Sequence, residues 1–90
     1  MKLVWSPQAE EDLYNIVEYI AGDNPVAAFD MFERITLTVA KILPGNPRAG
    51  RPGRADGTRE LVVHENYIAA CRISENRIDV LAVQHAARLR

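Results

Sequence analysis

Cysteine is all but missing from this 90-residue chain. Cys71 stands alone, which excludes an intrachain disulfide and any metal site built from several thiolates, and fits a reducing cytoplasm. Aromatic residues make up only 7%, and none follows Tyr67. Lysine occurs only at Lys2 and Lys41, and histidine only at His64 and His85, so acid–base chemistry has few carriers. No apolar stretch approaches the roughly 18 residues of a membrane span, and Met1 to Trp5 contains no leader-like apolar core. A soluble, cytoplasmic protein with no membrane partner is therefore expected. No metal-ligand set, phosphate-binding loop or nucleophilic triad can be assembled, so neither a metal nor a cofactor is expected.

What the chain does have is 48% hydrophobic and 26% charged residues, enough for one small globular domain spanning residues 1–90. The formal net charge is −1, with a pI near 6.1, which argues against direct binding to a nucleic-acid backbone, since domains of that kind are strongly basic. The near-neutral total hides a split. Residues 1–33 carry seven acids against Lys2 alone, a net of −6, whereas residues 34–90 carry ten bases against five acids, a net of +5. Either the two halves form faces with different partners, or the acids are the solvated side of helices.

Lys2 to Trp5 reads as a short strand. Ser6-Pro7 then starts a helix, because a hydroxyl can cap the first turn and proline has no N–H to leave unsatisfied there. Ala9, Leu13, Ile16, Val17 and Ile20 form its apolar face. Gly22-Asp23-Asn24-Pro25 ends this helix and caps a second one, giving a helical hairpin. The second helix places Ala28, Phe32, Ile35, Val39, Ile42 and Leu43 on one side, and Val26, Phe29, Leu37 and Ala40 read as an adjacent stripe. That stripe is either packed inside the fold or offered to a partner. Residues 44–57 hold four Gly, three Pro and the arginines Arg48, Arg51 and Arg54, so a long loop with no regular element is expected there. Three strands come next, Thr58 to His64, Tyr67 to Ile73 and Arg77 to Gln84, joined by turns short enough for hairpins. Alternation puts Leu61 and Val63, then Tyr67, Ala69, Cys71 and Ile73, then Ile78, Val80 and Ala82 on the core face. Val62, Ile68, Leu81 and Val83 give the other face apolar character as well. Trp5 reads as an anchor in the core or at its rim.

The order strand, helical hairpin, arginine loop, three-stranded meander resembles the RelE/ParE superfamily of toxin–antitoxin toxins, and more closely its ParE branch. The residues that carry the resemblance are Trp5-Ser6-Pro7, Ala9, Asp12-Leu13, Ile16, Tyr19-Ile20, Asn24-Pro25, Ala27-Ala28, the run Gly57 to Val63, Asn66-Tyr67-Ile68, Arg72, Ile78 to Val83, His85 and Arg88. The resemblance implies an α+β fold of order β-α-α-β-β-β, with the hairpin on one face of a mainly antiparallel sheet. It further implies a toxin of a type II module, neutralised by a cognate ParD-like antitoxin that lays a helix along the hairpin and an extended stretch on the sheet. Tyr14, Val26, Phe29, Leu37 and Ala40 are then the expected antitoxin contacts. Arg51, Arg54, Arg59, Arg72 and Arg88 are the expected contacts for an acidic segment or for the target.

The superfamily includes ribosome-dependent mRNA endoribonucleases, and RNA cleavage needs a base, an acid and a cation gathered over one phosphate. Only Arg59, Arg72 and His85 could serve here, and no aromatic after Tyr67 offers a stacking platform near a scissile site. Each of the three also has a structural alternative: cross-strand ion pairing for the arginines, a sheet-edge cap for His85. Members of the ParE branch are associated with DNA gyrase poisoning instead, so the resemblance implies gyrase inhibition by binding and no catalytic residues. RelE-like mRNA cleavage is the alternative, and a domain that only associates with its partner and has lost toxicity is a third class left open.

Overall fold

The computed structural model describes residues 2–46 and 49–86. Strand β1 (Lys2–Trp5) leads into helices α1 (Pro7–Ala21) and α2 (Pro25–Ile42), succeeded by strands β2 (Arg51–Pro52), β3 (Thr58–His64), β4 (Tyr67–Ser74) and β5 (Arg77–His85). The sheet runs β1-β5-β4-β3-β2, with β1 parallel to β5 and every other pair antiparallel. The α+β class, the hairpin and the meander match the expectation. Strands β4 and β5 each run one residue further than anticipated. Among the described residues, no helix is long and apolar enough to cross a membrane.

Both helices begin at the punctuation read from the sequence. Ser6 and Asn24 hold extended backbones, and their side-chain oxygens accept from the N–H groups of Ala9 and Ala27, each cap being worth about 1 kcal/mol. Ser6 also reaches across the chain. Its N–H donates to the Val80 carbonyl at 2.9 Å and its hydroxyl to the Leu81 carbonyl at 3.1 Å. The residue that starts α1 thus fastens that start to β5.

The helices cover one face of the sheet, α1 over β5 and α2 over β3. Ala9 and Leu13 from α1 and Ile35 and Val39 from α2 meet Leu61, Val63, Ala69, Cys71, Ile78 and Val80 from the strands, with Leu43 closing the end of α2. Trp5 and Tyr67 pack half-buried against this cluster. Burial among aliphatic side chains pushes the Cys71 thiol up to about 11, because nothing there solvates a thiolate.

Two expectations are corrected by the strands. The simple alternation on β5 fails after Val80. Ala70 pairs with Ala82 but Cys71 pairs with Val80, so Leu81 is an extra residue. This bulge reverses the parity of the rest of β5, and Val83 is buried in the core in place of Ala82. The loop at residues 44–57 likewise holds a regular element, the two-residue strand β2, with Arg51 opposite Glu60 and Pro52 opposite Arg59. Proline is tolerated there because β2 is the edge strand. The Arg59 guanidinium donates to the carbonyls of Ala49 and Gly50, the latter at 2.9 Å, and draws the loop onto the sheet. Gly50, at φ +87, makes the turn, and a Cβ there would clash with the Glu60 carbonyl oxygen.

Candidate functional site

Helix α2 presents two opposite faces. Val26 and Ile35 are nine residues apart, half a turn away at about 100° per residue, so the stripe read as adjacent to the core lies on its far side. Val26 is 70% exposed, Phe29 60% and Leu37 47%, and Ala40 is exposed as well, so the sandwiched reading of α2 does not hold. This is a row of large apolar side chains left open to water, which isolated folded proteins rarely concentrate on one helix. Tyr14, 59% exposed on α1, is set apart from that row. It lines a separate groove of about 430 Å³ together with Leu3, Trp5, Leu13, Phe32 and Thr36, running beside the open edge of β1. Sequence reasoning missed this groove, because the parallel pairing of β1 with the distant β5 is what places Trp5 beside Tyr14.

The five candidate arginines do not form one cluster. Arg59 sits on the helical side and is occupied by backbone carbonyls. Arg51 pairs with the buried Glu60, Nε to Oε1 at 3.1 Å, so the cross-strand ion pairing offered as an alternative for Arg59 and Arg72 is made by the loop arginine instead. Arg72 is exposed on the outer sheet face, opposite Thr58 and Asp79. Asp79 in turn accepts from Arg77 at 2.7 Å. Arg54 is exposed in the loop, and Arg88 lies outside the described residues, as does Arg48. The parallel pairing adds a base absent from the expectation: Lys2 stands opposite Arg77 at the same end of the sheet.

At the opposite end, His85 packs edge-on against Tyr67, with ring centroids 5.3 Å apart, and His64 is tilted against the other side of Tyr67 at 6.0 Å. Tyr67 and His85 line an open cleft of about 930 Å³ with Arg54, Val83, Gln84 and the α1 residues Asp12, Asn15, Ile16 and Tyr19. Asp12 is fixed there, because its Oδ2 accepts from the Val83 N–H at 3.0 Å and its Oδ1 from Gln8. Strand β1 ends opposite Val80, so the outer edge of β5 has no strand partner at Val83, and the carboxylate takes the place of one. Only an acid in the first turns of α1 could have signalled this role, and α1 has several.

The nuclease candidates do not converge. Arg72 pairs with Asp79, which lies six residues along β5 from His85, so at about 3.3 Å per residue the two are separated by on the order of 20 Å. They also lie on opposite faces of the sheet. Arg59 is nearer, opposite Cys71 and hence Val80, still roughly 15 Å from His85 along the strand direction. Among the described residues, no group of three or more His, Cys, Asp or Glu is placed to hold a metal ion.

Known proteins share both this sequence and this fold. Residues 3–90 match the family described as the ParE toxin of the type II toxin–antitoxin system parDE. A Sinorhizobium fredii protein named as toxin Y4kP is 40% identical over 86 residues, covering 94% of this chain and 88% of that protein. Toxin RelE2 of Caulobacter vibrioides is 35% identical over 88 residues, covering 98% of each. A chain from the chromosomal ParDE TA system of P. aeruginosa superposes with a TM-score of 0.83 at 28% identity, over 94% of this chain and 95% of that one.

Proposed function

This chain belongs to the ParE toxin family of type II toxin–antitoxin systems, and from that premise we propose that it acts by binding a macromolecular target, DNA gyrase, and not by cutting RNA. A cognate antitoxin holds it inactive by covering the hairpin. The observation that carries the binding reading is the dispersal of Arg59, Arg72 and His85. General acid–base catalysis requires its groups within hydrogen-bond reach of one substrate, and these three sit on two faces and at two ends of the sheet. Arg59 is moreover engaged by the Ala49 and Gly50 carbonyls, a structural duty that a phosphate-clamping cation could not share without letting go of the loop.

The apolar stripe of α2 supports antitoxin docking. An amphipathic helix that buries Val26, Phe29, Leu37 and Ala40 would remove this exposed apolar row from water. The exposed bases Arg54 and Arg72, with Arg51 beside Glu60, would meet an acidic extended segment.

The test is induction of the toxin without its antitoxin, with inspection of both nucleic acids afterwards. Gyrase-linked breaks in chromosomal DNA together with intact messages are expected, and His85→Ala should leave toxicity unchanged. Messages cut on the ribosome, with cutting lost in His85→Ala, would replace this reading with RelE-like mRNA cleavage.

A further inference from the structure

The outer surface of the hairpin is acidic as well as apolar. Glu10, Glu11, Glu18, Asp23, Asp30 and Glu33 are all exposed. The ion pairs among the described residues are Arg51–Glu60 and Arg77–Asp79, both on the sheet, so none of these six carboxylates has a cationic partner among those residues. Glu33 lies inside the stripe itself, seven residues from both Val26 and Ala40, and Asp30 lies beside Phe29. On α1, Glu11 and Glu18 flank Tyr14, three and four residues away, the spacing of neighbours on one helix face. The hairpin's two bases stand on α2, Arg34 one turn from Asp30 and Lys41 one turn from Leu37, and offset its acids only in part.

We infer that the segment which covers the hairpin is a cationic amphipathic helix: an apolar stripe seated on Val26, Phe29, Leu37 and Ala40, flanked by lysine or arginine facing Asp30 and Glu33. An acidic helix is disfavoured by the same arrangement, since it would bring like charges together over a surface where the carboxylates outnumber the bases. The partner is therefore charge-segregated, with its cationic helix on the hairpin, where residues 7–42 hold seven acids against two bases, and its acidic stretch on the arginine-bearing sheet. The inference rests on the hairpin being the antitoxin-binding surface and adds the chemistry of what binds there.

The experiment titrates the full chain with two synthetic helical peptides, each about as long as the 18-residue α2. They share one leucine stripe at i, i+3, i+4 and i+7 and differ only in flanking positions, lysine and arginine in one, glutamate in the other. The cationic peptide should bind at least about tenfold more tightly at low salt, with the gap narrowing as salt rises. The charge-reversed protein D30K/E33K, checked for fold by circular dichroism, should invert the preference. Equal binding of the two peptides, or tighter binding of the acidic one, overturns the inference while leaving the hairpin as a docking surface. Failure of both peptides to bind, or binding of the cationic peptide that Leu37→Ala does not weaken, overturns the hairpin reading itself.

Discussion

Phe29→Ala should separate binding from folding. Phe29 is 60% exposed, so of the roughly 200 Å² that a phenylalanine can bury, about 120 Å² is still available to a partner. At about 25 cal/mol per Å², covering that area contributes ~3 kcal/mol, equivalent to roughly 150-fold in Kd. The part already buried, about 80 Å², sets an upper estimate of ~2 kcal/mol for the loss of stability. Leu43→Ala is the counterpart, since Leu43 is fully buried and truncation there should lower stability by about 2–5 kcal/mol. The assay is titration calorimetry of each variant against the cognate antitoxin, paired with denaturant unfolding. For Phe29→Ala the loss of affinity should clearly exceed the loss of stability. A Kd within about threefold of wild type, with the fold intact, would refute both the assignment of the stripe and the area argument behind it.

Three further outcomes rest on the geometry. Asp12→Ala should lower stability by about 2 kcal/mol in urea unfolding, because the Val83 N–H loses its charged acceptor; Asp12→Asn keeps an acceptor oxygen and should retain most of that stability. Gly50→Ala should destabilise the chain by more than about 1 kcal/mol and release β2, read as faster amide exchange around Arg51 and Glu60, because φ is +87 and a Cβ would clash with the Glu60 carbonyl. Cys71 is held protonated, with its pKa raised from 9.0 to about 11, so its contribution is complete below pH 9. It should be lost progressively as the unfolded thiol ionises, the loss reaching about 2 kcal/mol by pH 11. Unfolding curves across pH 8 to 11 should therefore fall more steeply for wild type than for Cys71→Ala.

Local chemistry made much of this protein legible. Ser6-Pro7 and Asn24-Pro25 mark the two helix starts because capping is a matter of one side chain and the three residues after it. The meander strands arise from alternation and short turns, which are likewise short-range. The candidate surface on α2 could be found by its apolar residues, but not its exposure: the same 3.6-residue rhythm describes a helix buried all round and one with a bare apolar face, and only the packing of α1 and the sheet against Ile35 and Val39 distinguishes them. The arginines were visible as a group and misleading as a group, since their separation onto two sheet faces depends on the parity of each strand.

Residues close together in the chain were therefore enough to set every element but β2, their order, the helix caps and the polarity of charge between the two halves. Long-range packing set everything else. The parallel pairing of β1 with β5 joins residues some 75 apart and builds the groove beside Tyr14. The bulge at Leu81 puts Val83 in the core and sends its N–H to Asp12, and the hold of Arg59 on the Ala49 and Gly50 carbonyls turns part of a loop into β2. Each is a contact between segments that meet only after folding, and its energy depends on register and burial, which no local run of residues encodes.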